Sequence, residues 1–299
     1  MSTTVSAEIL PYLEEQRRLV DAELEELLPR AAEYPASLHQ AMRHSVFAGG
    51  KRLRPILCCE AGRLFGGDEG SLLRLGCALE LIHTYSLIHD DLPALDNDDL
   101  RRGKPTCHKV FGEATAILAG DALLTLAVEI MAAPCASPER RLRVIGELAH
   151  AIGTRGGMVG GQVADLETAG RSATAPEVEY IHSAKTGAFI RAAVRCGALE
   201  AGASEEDLAR VSMYGERIGL AFQIADDILD VIGSREALGK SVGKDDRQRK
   251  VTYPAVHGLE ESRCIAARLV EEACLALAPY GERGLRLRQI AHFLIERTH

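Results

Sequence analysis

Two groups of aspartates hold the densest chemistry in this sequence. The first lies in Ser86-Leu-Ile-His-Asp-Asp-Leu-Pro-Ala-Leu-Asp-Asn-Asp-Asp-Leu-Arg-Arg102. There Asp90, Asp91 and Asp96 form Asp-Asp-x4-Asp, with Asp98, Asp99, Arg101 and Arg102 close behind. Cys77 to Ile88 is an apolar helical pattern, so the acids stand at its C-terminal end, where the helix dipole is already negative. Pro93 stops that helix near Leu92, and Asp96 must fold back from a loop. Carboxylates crowded against a negative dipole repel one another unless a cation joins them. Their hard oxygens suit Mg2+ or Mn2+, and the neighbouring arginines suit a phosphate bridged by such ions. Taken alone, the cluster also reads as a solvated acidic loop.

The second group argues against that plain reading. Gly219 to Asp230 places Asp226, Asp227 and Asp230 in an unbroken apolar helix. Gln223, Asp227 and Asp230 share one stripe, and Asp226 stands one turn below Asp230. Ile224, Ala225, Ile228 and Leu229 flank the acids, so the helix is expected to pack inside the protein. Like charges at this spacing cost a helix several tenths of a kcal/mol, which a structural role does not explain. A third group is basic. Gly49-Gly-Lys-Arg-Leu-Arg-Pro55 opens a helix with cations at its positive end, an arrangement that makes sense with an anion bound among them.

These motifs, with Gly160-Gly-Gln-x-x-Asp165, Lys185-Thr186, Phe222-Gln223 and Lys250-x-Thr-Tyr-Pro254, follow the order and spacing of a known family. The chain resembles the trans-prenyltransferases, the head-to-tail isoprenyl diphosphate synthases, over nearly its whole length. Within them it is most similar to the bacterial-type farnesyl diphosphate synthases. The resemblance implies an all-α fold, one large helical bundle of about ten helices around a central cavity, residues 1–299 forming a single domain. It implies about three Mg2+ ions, with Mn2+ able to substitute. Asp90 and Asp96, with Asp91 in support, would hold metal from one side, and Asp226, with Asp227 and Asp230 in support, from the other. Arg101, Lys185 and Lys240 would bind the allylic diphosphate. Lys51, Arg54, His83 and Arg102, all counted as cations, would bind isopentenyl diphosphate, and Lys250 joins the substrate-binding set.

The implied reaction is loss of diphosphate from an allylic substrate (dimethylallyl or geranyl), attack on the carbocation by isopentenyl diphosphate, and loss of a proton to the departed diphosphate. Thr186, Gln223 and the Lys185 carbonyl would offer dipoles near the cation. Tyr85 and Ser86, five and four residues before Asp90, would set product length. Tyr85 lies roughly 7.5 Å down the helix axis, a depth comparable with a ten-carbon tail, so its ring would form a floor and give a fifteen-carbon product. A packed core tyrosine is the alternative. Geranylgeranyl and geranyl diphosphate synthases remain alternatives within the family. A class I terpene cyclase fits less well, because Asp226-Asp-x-x-Asp230 is the prenyltransferase form of the second motif. A non-catalytic synthase subunit would lack one acidic motif.

The elements that must position these groups are helical throughout. Glu8–33, 37–48, a helix opening at Gly50, 69–92, 112–132 and a helix after Ser137-Pro138-Glu139 follow in order. The helix of 112–132 is expected to be buried. Thr174-x-x-Glu177 and Ser204-x-x-Asp207 read as capping boxes, and Gly233 as the stop of the second acidic helix. The stretch 235–250 is polar, basic and the most mobile in appearance, and helices return from Tyr253 to Glu296. Gln162 and Asp165 share a helix face, Asp165 serving either as a metal neighbour or as a helix–helix contact. His89 is expected either behind Asp90 as a hydrogen-bond partner or in packing. His108, His150 and His257 are expected to be surface or core residues. A net charge of −8 without basic blocks argues against nucleic acid as a partner. The N-terminus lacks signal-peptide regions, and no uncharged apolar run reaches membrane-spanning length. Eight scattered cysteines suit reduced packing residues of a cytoplasmic protein, and the resemblance adds a homodimer.

Overall fold

Short polar side chains and prolines stand at several helix starts among the described residues. The computed structural model describes residues 2–168, 170–171, 173–238 and 252–296. In order, the helices are α1 (Ser2–Leu27), α2 (Ala36–Val46), α3 (Leu53–Arg63), α4 (Glu69–Asp90), α5 (Cys107–Phe111), α6 (Glu113–Ala132) and α7 (Pro138–Ile152). After them come α8 (Met158–Thr168), α9 (Ala175–Ile181), α10 (Ala188–Ala201), α11 (Glu205–Leu238), α12 (Tyr253–His257), α13 (Leu259–Ala276) and α14 (Leu285–Glu296). A π-helical turn, His182–Gly187, joins α9 to α10. The two-residue strands β1 (Leu100–Arg101) and β2 (Lys104–Pro105) pair antiparallel, Leu100 opposite Pro105 and Arg101 opposite Lys104.

Caps explain the starts that matter here. Asp68 accepts the Ser71 N–H at 2.9 Å at the head of α4. Thr174 and Glu177 form the expected capping box on α9, and Ser204 accepts the Asp207 N–H at 3.1 Å at the head of α11. Several boundaries differ from the sequence expectation, and α1 begins at Ser2 rather than Glu8. α1 ends at Leu27, before Pro29, and α11 runs through Gly233 to Leu238. A lone glycine weakens a helix by about 1 kcal/mol relative to alanine, which neighbouring helical residues override when no proline follows.

The frame around the acids is a set of close helix crossings. Buried residues of α3, α4, α10 and α11 (Leu57, Leu79, Phe189, Ile224) belong to one cluster that extends from Ile9 in α1 to Leu294 in α14. Where α10 crosses α3, a Cβ on Gly197 would fall 1.9 Å from the Cys58 carbonyl oxygen, so only glycine permits that contact. The crossing fixes α3, which carries Arg54, against the helix that continues from the π-turn. Cys58, Cys59, Cys77, Cys107 and Cys196 are free thiols buried in this core.

α6 corrects another expectation. It is half-sided: Ala116, Ala119, Leu123, Ala127 and Met131 pack inward, while Ile117, Leu118 and Val128 are exposed. With a mean hydropathy of 1.7, it is the one helix among the described residues long and apolar enough to cross a membrane, by length and composition.

Two glycines separate close crossing from mere helix propensity. Gly197→Ala should cost about 1–3 kcal/mol or more, because backbone atoms of α3 must move. Gly146→Ala, in α7 with nothing within 4 Å of the added carbon, should gain roughly 0.5–1 kcal/mol. Urea unfolding of both variants checks the pair; equal effects would contradict the crossing.

Candidate active site

The first acidic motif folds back as Pro93 requires. The Asp96 N–H donates to the Asp90 carbonyl at 2.8 Å, and the Asn97 N–H to that of Leu92 at 3.1 Å, with Asn97 at φ +54°. Asp91 caps α4 and is buried, and Arg101 at the end of β1 reaches back to it. Arg101 Nε lies 2.7 and 3.0 Å from the two Asp91 oxygens. Asp98 adds a looser contact to the same guanidinium at 3.6 Å. Burial pushes the Asp91 carboxyl up, with Arg101 pulling against it. Among the described residues Asp90 has no such partner in contact. Burial pushes its carboxyl up to about 6, Lys185 opposing the shift and Asp96 adding to it.

The second motif is held from α11 by two different partners. Asp227 Oδ2 lies 2.7 Å from His182 Nε2 and accepts the Tyr253 N–H at 2.7 Å. Lys185 Nζ lies 2.6 Å from Asp165 Oδ2, so Asp165 is the partner of the lysine on a neighbouring helix. Lys185 and Thr186 sit in the π-turn, whose extra residue per turn shifts the side chains out of α-helical register, a distortion common at functional sites. Gly161 backs this turn: a Cβ there would lie 2.2 Å from the Lys185 backbone nitrogen. Gly161 thus serves close approach of α8 to the π-turn, whereas Gly160 makes room for the Thr154 carbonyl, 1.9 Å from where a Cβ would lie. Gln223 and Asp226 are half-buried and Asp230 exposed on α11. Gln162, half-buried on α8, has both amide atoms buried without a partner among the described residues. Lys240 and Lys250 lie outside the described residues.

The basic group divides into three roles. Arg52, at φ +51°, is buried and donates to Asp21 and Glu80, each at 2.8 Å, and to the Val46 carbonyl at 2.7 Å. It is a structural ion pair, and the acid Glu80 inside the apolar Cys77–Ile88 run was the sequence signal for it. Arg54 stacks its guanidinium over Phe189, 5.0 Å from the ring centroid, and its buried Nε has no partner among the described residues. Burial pulls Arg54 down to about 10, Glu80 opposing and Arg102 assisting, which leaves it charged at neutral pH. Arg102, at φ +54°, donates to the Gly49 carbonyl. A Cβ on Gly50 would lie 2.4 Å from Arg102 Nη1, which explains the second glycine of the run. Lys51 is exposed. His83 corrects the expectation of a cation. Burial, then Arg54 and Arg102, hold its imidazole well below the usual range, so it is neutral.

Electrostatic reach ties the groups together. Arg54 feels Asp226, and Asp90 feels Lys185, so groups on α3, α4, the π-turn and α11 lie within electrostatic reach of one another. Tyr85 packs partly buried on the core, its ring edge-on to His89 at 5.7 Å. His89 Nε2 lies 3.1 Å from the Ile117 carbonyl, and a Cβ on Gly120 would lie 2.2 Å from that nitrogen. His89 is therefore a packing residue between α4 and α6. The Ser86 hydroxyl donates to the His83 carbonyl at 2.9 Å.

A divalent ion fits this donor set. Among the described residues no three ligating side chains already converge on a metal-sized point, but Asp90 is ionised only against burial and Asp96. A dication beside its hard oxygens relieves both. The sign of the pH effect follows. A carboxyl raised in the folded state costs stability once ionised, so metal-free protein loses stability as pH rises through about 6. Asp90→Asn removes that cost and should stabilise the metal-free protein at pH 7 by about 1–3 kcal/mol, a gain that fades towards pH 4. Urea unfolding in EDTA at both pH values measures it; a gain independent of pH would contradict the assignment.

Comparisons with known proteins agree with this arrangement. The family described as polyprenyl synthetase matches residues 35–274. A dimethylallyltranstransferase of Fischerella ambigua is 50% identical over 96% of this chain and 83% of its own. A geranylgeranyl diphosphate synthase of Cyanophora paradoxa is 48% identical over 97% of each chain, and a farnesyl diphosphate synthase of Geobacillus stearothermophilus 46% identical over 96% and 97%. The crystal structure of an FPP/GFPP synthase from Zymomonas mobilis superposes with a TM-score of 0.86 at 38% identity, covering 99% of this chain and 100% of that one. With two acidic motifs, a basic helix start and the lysine of a π-turn within electrostatic reach of one another, the chain belongs to the polyprenyl synthetase family and is a prenyltransferase.

Proposed function

We propose that the protein condenses isopentenyl diphosphate head to tail with dimethylallyl and then geranyl diphosphate, giving farnesyl diphosphate, as one catalytic domain. The observation that carries this reading is the separation of charges. Acids of α4 and α11 with Lys185 form one side, and Arg54, Arg102 and neutral His83 form a second anion site at the start of α3. Two diphosphates are therefore accommodated by different means. A terpene cyclase needs only one.

Mg2+ held by Asp90, Asp96 and Asp226 would neutralise the leaving diphosphate and favour its departure as an anion. The chain's own groups do the rest. Lys185 exchanges its contact with Asp165 for phosphate oxygens, and Arg101 does so with Asp91. Thr186 and Gln223 turn oxygens towards the carbocation without acting as nucleophiles. Arg54 holds the second diphosphate as a buried charge-assisted donor. His83, being neutral, can give that diphosphate one N–H without adding a further charge to the arginines around it. The exposed apolar residues of α6, with Val159, Val163 and Leu166 of α8, support a homodimer face over a membrane-spanning role, because α6 packs its other side into the core.

Product length rests on Tyr85. Its partly buried ring, braced by His89, supports a floor about two helical turns or less beneath Asp90. The geranylgeranyl relatives at similar identity favour a second reading, a twenty-carbon product, in which Tyr85 is only a packed residue.

Purified protein with Mg2+, labelled isopentenyl diphosphate and geranyl diphosphate should accumulate a fifteen-carbon diphosphate; accumulation of a twenty-carbon product would favour the second reading. Tyr85→Ala should lengthen the products, and a folded variant that still stops at fifteen carbons would remove Tyr85 from the floor. Arg54→Ala should raise KM for isopentenyl diphosphate by about tenfold or more, with little change for the allylic substrate. An equal rise for both would show that the basic groups are wrongly divided.

A further inference from the structure

Asp227 is engaged by a residue that the motifs do not include. His182 opens the π-turn and is 9% exposed at its side chain, facing an Asp227 that is 15% exposed. Its Nε2 lies 2.7 Å from Asp227 Oδ2, and the same oxygen accepts the Tyr253 N–H at 2.7 Å. An ionised carboxylate only accepts, so Nε2 is the nitrogen that carries the hydrogen. The Tyr253 ring stacks on the imidazole at 6.0 Å and 28°, and on His257 at 4.5 Å and 26°. Three separate parts of the chain thus meet on one carboxylate oxygen: the π-turn, α11 and the start of α12.

What each part carries gives the junction its meaning. Lys185 and Thr186 follow His182 by three and four residues in the π-turn, and Asp226 precedes Asp227 on α11. A π-turn replaces the α-helical ladder with i→i+5 bonds over a single turn, and a side-chain contact from outside adds to what holds its register. We propose that His182 is a positioning residue for prenyl transfer. By donating Nε2–H to Asp227, it locks the turn that presents Lys185 and Thr186 to the helix that presents Asp226. The same bond turns Asp227 away from the metal side and makes it the strut of the second motif. The proposal rests on the prenyl-transfer reading for its kinetic consequence, but the strut itself is a property of the folded protein.

Two substitutions divide packing from hydrogen bonding. His182→Phe keeps a ring of similar size on Tyr253 and removes the donor; His182→Gln restores an amide N–H at about the reach of Nε2. The Phe variant should lose about ten- to a hundredfold in kcat, the factor attached to a hydrogen bond on a partly buried charge. Its KM for isopentenyl diphosphate, bound at the far Arg54 site, should stay within about twofold. The Gln variant should recover most of the kcat. Hydrogen exchange needs neither metal nor substrate: the Tyr253 amide should exchange faster in the Phe variant and stay protected in the Gln variant. Wild-type kcat in the Phe variant, a Gln variant as deficient as Phe, or unchanged Tyr253 protection in the Phe variant would each overturn the proposal. If the Phe variant fails to fold, the Gln variant decides: activity and protection near wild type support the strut, and loss of both overturns it. A wild-type protein without prenyl transfer, but with His182-dependent protection of Tyr253, would overturn the functional reading and leave the strut intact.

Discussion

The structure depends on how an apolar helical frame tolerates acids placed far closer together than folding alone would allow. Several of them are answered one by one. Asp91 has the Arg101 fork, Asp165 has Lys185, Asp227 has His182 and a backbone N–H, and Glu80 has Arg52. The partners come from β1, the π-turn and the residue before α3, so answering the acids also fixes these three segments against α4, α8 and α11. Asp90 is left with no cation in contact among the described residues, and burial drives its carboxyl up to about 6. That pattern, several acids answered and a buried one without a cation in contact among the described residues, suits a site built for a transient multivalent ligand.

The cations obey the same logic in reverse. Arg101 and Lys185 are held by carboxylates that a diphosphate can replace, so arrival of substrate exchanges one ion pair for another and strands no charge. Arg54 is held differently, over the face of Phe189 and with a buried Nε lacking a partner among the described residues. Neutral His83 beside it keeps the group from carrying one more mutually repelling charge before an anion arrives. The glycines then set distances: Gly50 admits Arg102, Gly161 admits the π-turn and Gly197 the α3–α10 crossing.

Much of this was legible in the sequence, because like charge at helical spacing in an apolar run has few structural explanations. Asp-Asp-x4-Asp, Asp226-Asp-x-x-Asp230 and the Pro93 turn fixed which side chains would gather, and the capping boxes gave the starts of α9 and α11. Pairing was not legible. Nothing in the spacing of Lys185 says that it meets Asp165, or that the first of the two Arg101-Arg102 cations is spent on Asp91, since such partners depend on how helices cross. The π-turn was hidden for a related reason, as a one-residue expansion leaves no compositional mark. His182 could have been suspected only from its place three residues before Lys185. Arg52 stands in the basic run that an anion would explain, yet it is spent on Glu80, and that lone acid in an apolar helix was the missed clue. Gly233 misled in the opposite direction, since glycine ends a helix only when the residues after it cannot continue.

Cooperation of the two acidic motifs is the central claim, and manganese binding followed by electron paramagnetic resonance tests it most directly. Mn2+ is titrated into metal-free protein with and without inorganic diphosphate, for the wild type, Asp90→Asn and Asp226→Asn. Cooperation predicts that Mn2+ binds weakly alone and tightly with diphosphate, and that a change in either motif weakens the diphosphate-dependent binding. Tight binding without diphosphate, unaffected by Asp226→Asn, would show that the motif on α4 acts alone and would contradict a shared site.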